Sequence, residues 1–489
     1  MNILEPFFYH ARQTPPTAAI CAPGTRFNVV SYGRLQAMVN NIARNVLANG
    51  LRSGDVVAVF VGDPILQASI SLALVRLGIV AVGGTSPQLP KECHVTAALW
   101  DAPVELKNFG RAIKVDALWT MGEGRPPEMP VHTYGGDQRC IIALTSGSTG
   151  QPKAVALSHD EVMRRVVRHN FIWGSRLPQC SRIFCDLSVA TLLGFLFLIH
   201  VLSRGGTLFL RGPEAAETIQ AFGLYNVQAM VAAPSALAEF LSYYEMSPGF
   251  PSPFEAIVSV GSLLSSALSA RLRARICPHL IASYGSTEGH IAAAAPAHQI
   301  AGIDHAVGFV APGVVAEIVD PAGAPLRAGQ YGRVRIRSEY QVSGYLGTPE
   351  KSAEQFRSGW FYPGDIGALT EENLLLIAGR EDAVINVGGD KINPERIEAT
   401  VSAFSGVREA AAFAVSGSLG IAQLVVAVVW RDRPDEAGLR SHCGATLPAG
   451  LIPQRFVAVP HIPKNSMGKV DRSGLLNVTA GASPSEVRS

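Results

Sequence analysis

The chain has 489 residues, of which 48% are hydrophobic and 16% charged, and its formal net charge at pH 7 is +2. This is a globular composition, with enough length for more than one domain and enough apolar residues for a large core. The balanced charge and the lack of a long basic run exclude a typical nucleic-acid partner. The N-terminus lacks the charged-then-apolar pattern of a secretion signal.

Seven scattered cysteines, none in a C-x-x-C pair, predict reduced thiols rather than a disulfide framework or a zinc site. The most apolar run covers residues 183–202, and Asp186 interrupts it. Its uninterrupted part is shorter than the roughly 18–20 residues that a membrane span needs. We interpret the run as a buried core helix, with membrane insertion as the less favoured reading, and we expect a cytoplasmic protein with no membrane span.

Apolar, β-branched runs alternate with helical stretches from the N-terminus onwards. Residues 56–62 predict a strand, and residues 65–78 predict a helix that ends on a glycine. Further strands are predicted at 206–210, 229–234, 256–261 and 280–285. Strands alternating with helices indicate βαβ units and largely parallel sheets. From Val314 the strands become shorter and more polar, which predicts an antiparallel or barrel-like section.

The predicted fold class is α/β: a large N-terminal domain of parallel-rich sheets with helices plus a barrel-like section, and a small C-terminal α+β domain. We place the boundary near Gly379–Asp382, which gives domains of residues 1–379 and 380–489. The smaller part carries its own apolar set, with a predicted helix at 394–404 and two strands after it.

A loop rich in glycine and hydroxyl side chains follows an apolar run and ends at a lysine: TSGSTGQPK, from Thr145 to Lys153. Glycine lets a backbone approach an anion closely, and successive N–H groups can form an anion-binding concavity. Hydroxyls and a lysine add further donors. The spacing differs from the usual G-x-x-x-x-G-K-[ST] pattern. The loop is therefore a phosphate loop of another kind or a flexible turn.

Two further stretches carry candidate ligand contacts. In YGSTEGH, which follows a predicted strand, Tyr284 could stack on a base, Thr287 could bond a phosphate and Glu288 could hold Mg²⁺. In GWFYPGDIG, a fixed carboxylate at Asp365 could bond a ribose diol. Taken alone, each stretch is equally consistent with an ordinary turn.

Two C-terminal stretches carry charged residues in loops. GREDAVINVGGDKINPERIE begins at Gly379, and on its own it suits a linker and a hairpin before a helix. PKNSMGKVDR places Lys469 after a glycine in a loop of small residues. A lone lysine in such a loop is usually only a solvated charge.

In this order and at these intervals, the five motifs resemble those of the adenylate-forming superfamily. That superfamily includes acyl- and aryl-CoA synthetases, adenylation domains of nonribosomal peptide synthetases and firefly luciferase. The resemblance extends upstream and covers nearly the whole chain. It implies a reaction in two steps, in which a carboxylate attacks the α-phosphate of Mg·ATP to give an acyl-adenylate and pyrophosphate. A thiol then attacks the acyl carbon and releases AMP.

The resemblance also implies roles for individual residues at the ATP site. The loop residues that would wrap the β- and γ-phosphates, with Lys153 in support, are Thr145, Ser146, Gly147, Ser148, Thr149 and Gly150. Tyr284, with Gly285 beside it, would stack on adenine, and Thr287 would contact the α-phosphate. The remaining implied roles are Mg²⁺ binding by Glu288 and ribose binding by Asp365 with Arg380 alongside.

The small domain would contribute Lys469 as a catalytic residue, reaching the substrate carboxylate and the α-phosphate and stabilising the charge that develops there. Asp382 matches the hinge position, about which the small domain would swing between the half-reactions. The chain ends 20 residues after Lys469 without a carrier-domain segment. We therefore expect a free-standing enzyme, whose acceptor is either CoA or a phosphopantetheinyl carrier protein in trans.

The acid pocket departs from the acyl-CoA synthetase pattern, because no histidine follows the aromatic residue in FCDLSVATLLGF. Asp186 there resembles the aspartate with which amino-acid-activating domains bind a substrate amino group. Alternatively, Asp186 or Ser188 caps the helix that follows. The other candidate pocket residues are Gly261, Ser262 and Ser283. The sequence does not decide whether the substrate is an aryl, an aliphatic or an amino acid. The least favoured alternative is a catalytically inactive relative with a binding or regulatory role.

Overall fold

The structure is a computed structural model of the chain. It describes residues 2–83, 89–101, 109–122, 136–145, 152–174, 176–247, 249, 251–381, 385–387, 390–392, 394–416, 422–447, 451–464, 470–471 and 474–475. Within these ranges the helices are α1 Glu5–Gln13, α2 Tyr32–Ala48, α3 Pro64–Leu77, α4 His159–Ile172, α5 Leu192–Leu202, α6 Ala215–Leu224, α7 Pro234–Met246, α8 Ser266–Arg275, α9 Pro349–Gln355, α10 Pro394–Ala403 and α11 Glu436–Thr446.

The strands of the described part are given in chain order. The first thirteen are β1 Ala18–Cys21, β2 Val29–Ser31, β3 Val56–Phe60, β4 Val80–Val82, β5 Ala97–Trp100, β6 Ala112–Lys114, β7 Arg139–Thr145, β8 Lys153–Ser158, β9 Arg182–Cys185, β10 Thr207–Leu210, β11 Ala229–Ala232, β12 Ala256–Ser259 and β13 Leu280–Ser286. The others are β14 His290–Pro296, β15 Ala306–Val310, β16 Val314–Val319, β17 Gly332–Ser338, β18 Phe356–Arg357, β19 Trp360–Phe361, β20 Asp365–Leu369, β21 Leu374–Arg380, β22 Ile385–Val387, β23 Asp390–Ile392, β24 Val407–Ser416, β25 Ala422–Trp430 and β26 Arg455–Ala458.

The largest sheet changes character along its length. Its order is β18-β19-β17-β20-β21-β15-β14-β13-β12-β11-β9-β10-β1-β2, with β16 paired to β17. The run from β1 through β10, β9, β11 and β12 to β13 is parallel, whereas β13 to β21 and the strands beyond it are antiparallel. The predicted change from a parallel to an antiparallel section is confirmed, but it begins at β14, before the predicted position at Val314, and β13 lies where the two sections meet.

Three smaller sheets complete the described architecture. One has the order β6-β5-β3-β4-β7-β8, parallel except for the antiparallel pair of β7 and β8. Near the C-terminus, β24, β25 and β26 form one sheet and β22 and β23 form another. The fold is thus α/β, with a large sheet-rich N-terminal domain and a smaller C-terminal domain. The exact boundary, near residue 379, remains a prediction.

Local sequence signals explain where several helices begin and end. Asp63 caps α3 by accepting hydrogen bonds from the N–H groups of Ile65 and Leu66, and Gly78 ends that helix with φ of 68°. Such a left-handed residue favours glycine, which has no Cβ to clash. The predicted strand at 56–62 and helix at 65–78 are therefore confirmed as β3 and α3.

The apolar run at 183–202 corrects one prediction. We expected a single core helix, but the run begins in β9, passes through a turn and only then enters α5. Thr191 caps α5 by accepting from the N–H of Gly194. The proposal that Asp186 or Ser188 caps this helix is therefore wrong, because the turn places the cap several residues later.

The cores agree with the composition. Buried apolar side chains from α2, α3, α5 and the parallel strands form one large cluster, and β24 and β25 supply separate clusters. The sequence prediction of reduced thiols is consistent with the structure, in which all seven cysteines are buried and free. Burial raises the pKa of the Cys93 and Cys180 thiols to about 11, so these thiols are protonated at neutral pH. No helix in the described ranges is both long and apolar enough to cross a membrane.

The start of α4 supplies a stability prediction. The Ser158 hydroxyl accepts from the Glu161 N–H at 3.2 Å, and the Glu161 carboxylate accepts from the Ser158 N–H at 2.7 Å. Loss of such a reciprocal cap costs about 1 kcal/mol. We expect Ser158→Ala to lower the free energy of unfolding by about that amount, measured by urea denaturation. Ser266→Ala, at an exposed position of α8, is the control and should be neutral; equal effects would reject this role of the cap.

Candidate functional site

The described candidates for the ATP site lie at or near the ends of strands from two sheets. Thr145 ends β7 and lies opposite Lys153, the first residue of β8. The predicted phosphate loop therefore joins the two strands of a hairpin. Its residues Ser146, Gly147, Ser148, Thr149 and Gly150 lie outside the described residues, as do Asp382 and Lys469. Their assigned roles remain predictions.

Lys153 and Glu288 belong to one cluster, and Tyr345 links them. The Tyr345 hydroxyl donates to the Glu288 carboxylate at 2.9 Å. The Lys153 ammonium lies 4.7 Å from the centroid of the Tyr345 ring, a cation–π distance. Burial lowers the pKa of Lys153, and the charges of Glu288 and Glu354 oppose that shift. The cluster holds one buried carboxylate and one partly desolvated ammonium close together.

A second cluster joins the parallel and antiparallel sections of the large sheet. The Tyr284 hydroxyl, at the end of the parallel section, donates to the carboxylate of Asp365. Asp365 and Arg380 are cross-strand partners in β20 and β21, and their side chains form an ion pair at 3.5 Å. Burial raises the pKa of Tyr284 well above its usual value, and Asp365 adds to the shift. The hydroxyl therefore remains protonated and can donate to Asp365.

Gly285 is required by a close backbone approach within the hairpin of β13 and β14. A Cβ atom at this position would lie 2.2 Å from the carbonyl oxygen of His290 in the opposite strand. Thr287 lies half-buried in the turn between the two strands, next to Glu288. A side chain at position 285 would force the strands apart, so glycine preserves the turn that carries Thr287 and Glu288.

Asp186 follows β9 at the carboxyl edge of the parallel strands, and a neighbouring cation already pairs with it. The Arg211 Nε donates to Asp186 at 2.6 Å, and both Arg211 terminal nitrogens donate to the two carboxylate oxygens of Glu239 at 3.1 Å. The guanidinium also lies over the Phe240 ring. Burial raises the pKa of Asp186, and Arg211 opposes that shift. Asp186 is thus the buried end of an ion-pair network that reaches the surface at Glu239.

The other three candidate pocket residues, Gly261, Ser262 and Ser283, lie in or directly after the neighbouring strands β12 and β13. Gly261 follows β12 with φ of 88°, and among the described residues no atom lies within 4 Å of where its Cβ would be. Ser262 beside it is exposed. Ser283, in β13, accepts a hydrogen bond from the Trp173 indole N–H at 3.1 Å. Gly261 and Ser262 are both exposed where the chain leaves β12.

Sequence reasoning missed Tyr345 and Arg211. Tyr345 is 57 residues from Glu288, and it stands in VSGYLGTPE, a stretch without a chemical pattern of its own. Arg211 follows an ordinary apolar strand. Only the pairing of strands that are distant in sequence brings these side chains to the site.

The residues present fit a nucleotide with Mg²⁺. No group of three or more His, Cys, Asp or Glu side chains converges as a metal site within the described residues. Mg²⁺ does not need such a group, because it usually keeps several waters and binds one or two carboxylates together with substrate phosphates. Glu288, 8% exposed, is a carboxylate of the kind that could hold such an ion.

The sequence model of the AMP-binding enzyme family matches residues 7–346, and that of the AMP-binding enzyme C-terminal domain matches residues 396–469. The chain belongs to the AMP-binding enzyme family. AMB antimetabolite synthetase AmbB from Pseudomonas aeruginosa is 29% identical over 98% of the chain, which spans only 39% of that protein's length.

Two solved structures share the fold. O-succinylbenzoate coenzyme A synthetase from Bacillus subtilis, in complex with ATP and a magnesium ion, has a TM-score of 0.80 at 20% identity, with 96% of this chain and 99% of that chain covered. The amide bond synthetase McbA from Marinactinospora thermotolerans has a TM-score of 0.77 at 23% identity, with 96% and 99% covered. These two likenesses show that the chain shares the fold of both enzymes.

The charges around Lys153 predict that two substitutions shift its pKa in opposite directions. Glu288 raises the pKa of Lys153, whereas Lys351 lowers it. Glu288→Gln should therefore lower the pKa of Lys153 further, because the ammonium loses a nearby anion. Lys351→Met should raise that pKa, because it removes a nearby cation. Carbon-13 NMR of labelled lysines, assigned with Lys153→Arg, measures both shifts. Shifts of the same sign would contradict this account of the cluster.

Proposed function

We propose that this chain activates a carboxylic acid with Mg·ATP and transfers the acyl group to the thiol of CoA. The observation that carries the proposal is the grouping of Tyr284, Asp365 and Arg380 at one sheet junction, near Lys153 and Glu288. These are the residues to which family resemblance assigns ATP contacts. In the first step a carboxylate oxygen attacks the α-phosphorus, and the bond to pyrophosphate breaks.

In the second step the acceptor attacks the acyl carbon, and AMP leaves with the bridging oxygen. The thiol proton is lost to solvent or a base. AMP is a better leaving group than the oxide of a free carboxylate, which is why ATP is consumed. Asp365 would bond the ribose hydroxyls, Thr287 would contact the α-phosphate, and Mg²⁺ held by Glu288 would neutralise phosphate charge.

The loop at 145–150 and Lys153 would hold the β- and γ-phosphates. Lys469 would stabilise charge during attack on the α-phosphate, and Asp382 would act as the hinge of a mobile small domain of residues 380–489. CoA is the leading acceptor. A carrier protein in trans is the alternative, and the amide bond synthetase among the structural neighbours adds an amine as a further outcome of the acceptor test.

Acid-dependent exchange of pyrophosphate into ATP tests the first step without the acceptor. The panel should contain amino acids, benzoates, cinnamates and fatty acids. Exchange with one class would support the proposal and name the acid. Mg·ATP binding without exchange across a broadened panel would favour an inactive binding relative, and absence of Mg·ATP binding would reject the proposal.

Lys469→Ala should reduce exchange by at least about 100-fold, the usual effect of removing one group that stabilises transition-state charge. Its melting temperature should stay close to that of the wild type. Lys464→Ala is the matched control, because Lys464 lies in the same segment and its ammonium pairs with Glu409 at 3.0 Å. It should keep its exchange rate. Similar loss in both variants would argue against a catalytic role for Lys469.

The acid class can be tested at Asp186. If Asp186 binds a substrate amino group, Asp186→Ala should reduce exchange with amino acids by about 10- to 100-fold and spare acids without an amino group. Glu239→Ala is the control, because it removes a carboxylate from the same network on the side away from Asp186. Equal losses for both acid classes would show that Asp186 serves only the ion pair with Arg211.

A further inference from the structure

Helix α4 begins directly after β8, the strand that carries Lys153. One face of this helix, continued by one residue beyond its end, presents Arg165, His169 and Trp173 at intervals of four. Residues spaced by four lie above one another on a helix. All three side chains are buried. We call this stripe of Arg165, His169 and Trp173 the α4 face.

Each member of the α4 face contacts a different part of the segment from Ser283 to His290. Trp173 donates to the Ser283 hydroxyl at 3.1 Å. The Nε2 atoms of His169 and His290 lie 3.3 Å apart, and their rings are stacked. The α4 face thus runs along the whole hairpin turn that carries Thr287 and Glu288.

Arg165 makes the strongest of these contacts. Its guanidinium donates to the carbonyl of Thr287 at 2.8 Å and to that of Glu288 at 3.3 Å, and it reaches the Tyr340 carbonyl at 2.6 Å. The side chain is 1% exposed. Burial lowers the pKa of Arg165 to about 10, and the charges of Glu161 and Glu288 oppose the shift. The group is therefore charged at neutral pH, and bonds from a charged donor are the strong ones.

We propose that Arg165 is a positioning residue that fixes the Thr287–Glu288 peptide, and so aims the Glu288 carboxylate at the Mg²⁺ of bound Mg·ATP. This inference rests on the proposed function. Two carbonyls of consecutive residues bind one rigid, planar guanidinium, which restricts the rotation of the peptide between them. Tyr345 holds the carboxylate itself. The residue would act on the metal through Glu288 and would not touch the nucleotide.

Arg168 provides a control matched in type, helix and burial. It is 3% exposed, and its guanidinium donates to the Pro312 carbonyl at 3.0 Å and stacks over the Tyr340 ring at 4.0 Å. Its hydrogen bond within the described part of the chain thus goes to a different loop from the one that carries Thr287 and Glu288. Arg168→Met therefore removes a buried guanidinium from α4 without releasing the peptide that Arg165 holds.

The experiment is calorimetric binding of ATP at increasing Mg²⁺ concentrations, below the melting temperature of each variant. Arg165→Met should raise the half-saturating Mg²⁺ concentration at least about tenfold, since small misplacements of binding groups have large effects. Arg165→Lys keeps the charge but lacks the planar guanidinium, so it should raise the half-saturating Mg²⁺ concentration by a smaller factor. If Arg165→Met does not fold, Arg165→Lys alone tests the positioning role. Arg168→Met should be destabilised but keep the wild-type Mg²⁺ dependence.

A wild-type half-saturating Mg²⁺ concentration in Arg165→Met and Arg165→Lys would overturn the positioning role. An equal rise of that concentration in Arg165→Met, Arg165→Lys and Arg168→Met would also overturn it, because it would indicate general loss of structure. Failure of the wild type to bind Mg·ATP would instead reject the proposed function, and the inference with it. Because the readout is binding rather than turnover, the two failures are distinguishable.

Discussion

A buried carboxylate must be compensated, and this requirement organises the site around Glu288. The side chain is 8% exposed, its carboxylate accepts from Tyr345, and its charge acts on Lys153 and Arg165. Leaving such a charge unpaired in the interior would be costly. Segments distant in the chain therefore converge on one point, where an ATP-dependent enzyme would also need its metal.

The large sheet brings Tyr284 and Asp365 together. Its parallel section ends at β13, and its antiparallel section begins there, so Tyr284 can reach Asp365 across the junction. Ligands of α/β proteins bind beyond the carboxyl ends of parallel strands. Asp186, after β9, and Gly261, after β12, lie at this carboxyl edge.

The sequence was sufficient for much of the fold, because apolar periodicity and glycine stops are local signals. It predicted β3, α3 and the change to antiparallel strands, and its motifs pointed to the family. It failed at the run from 183 to 202, where a strand, a turn and a helix share one apolar stretch. Tyr345 and Arg211 were missed because their contacts depend on tertiary pairing, which leaves no local pattern.

Transfer of an oxygen isotope tests the central claim most directly. The acid identified by exchange is prepared with oxygen-18 in its carboxylate and incubated with Mg·ATP, the enzyme and the acceptor. An acyl-adenylate mechanism predicts that one labelled oxygen appears in AMP, because the attacking oxygen stays on the α-phosphorus. Unlabelled AMP, or label in inorganic phosphate with ADP as the nucleotide product, would contradict activation through an adenylate.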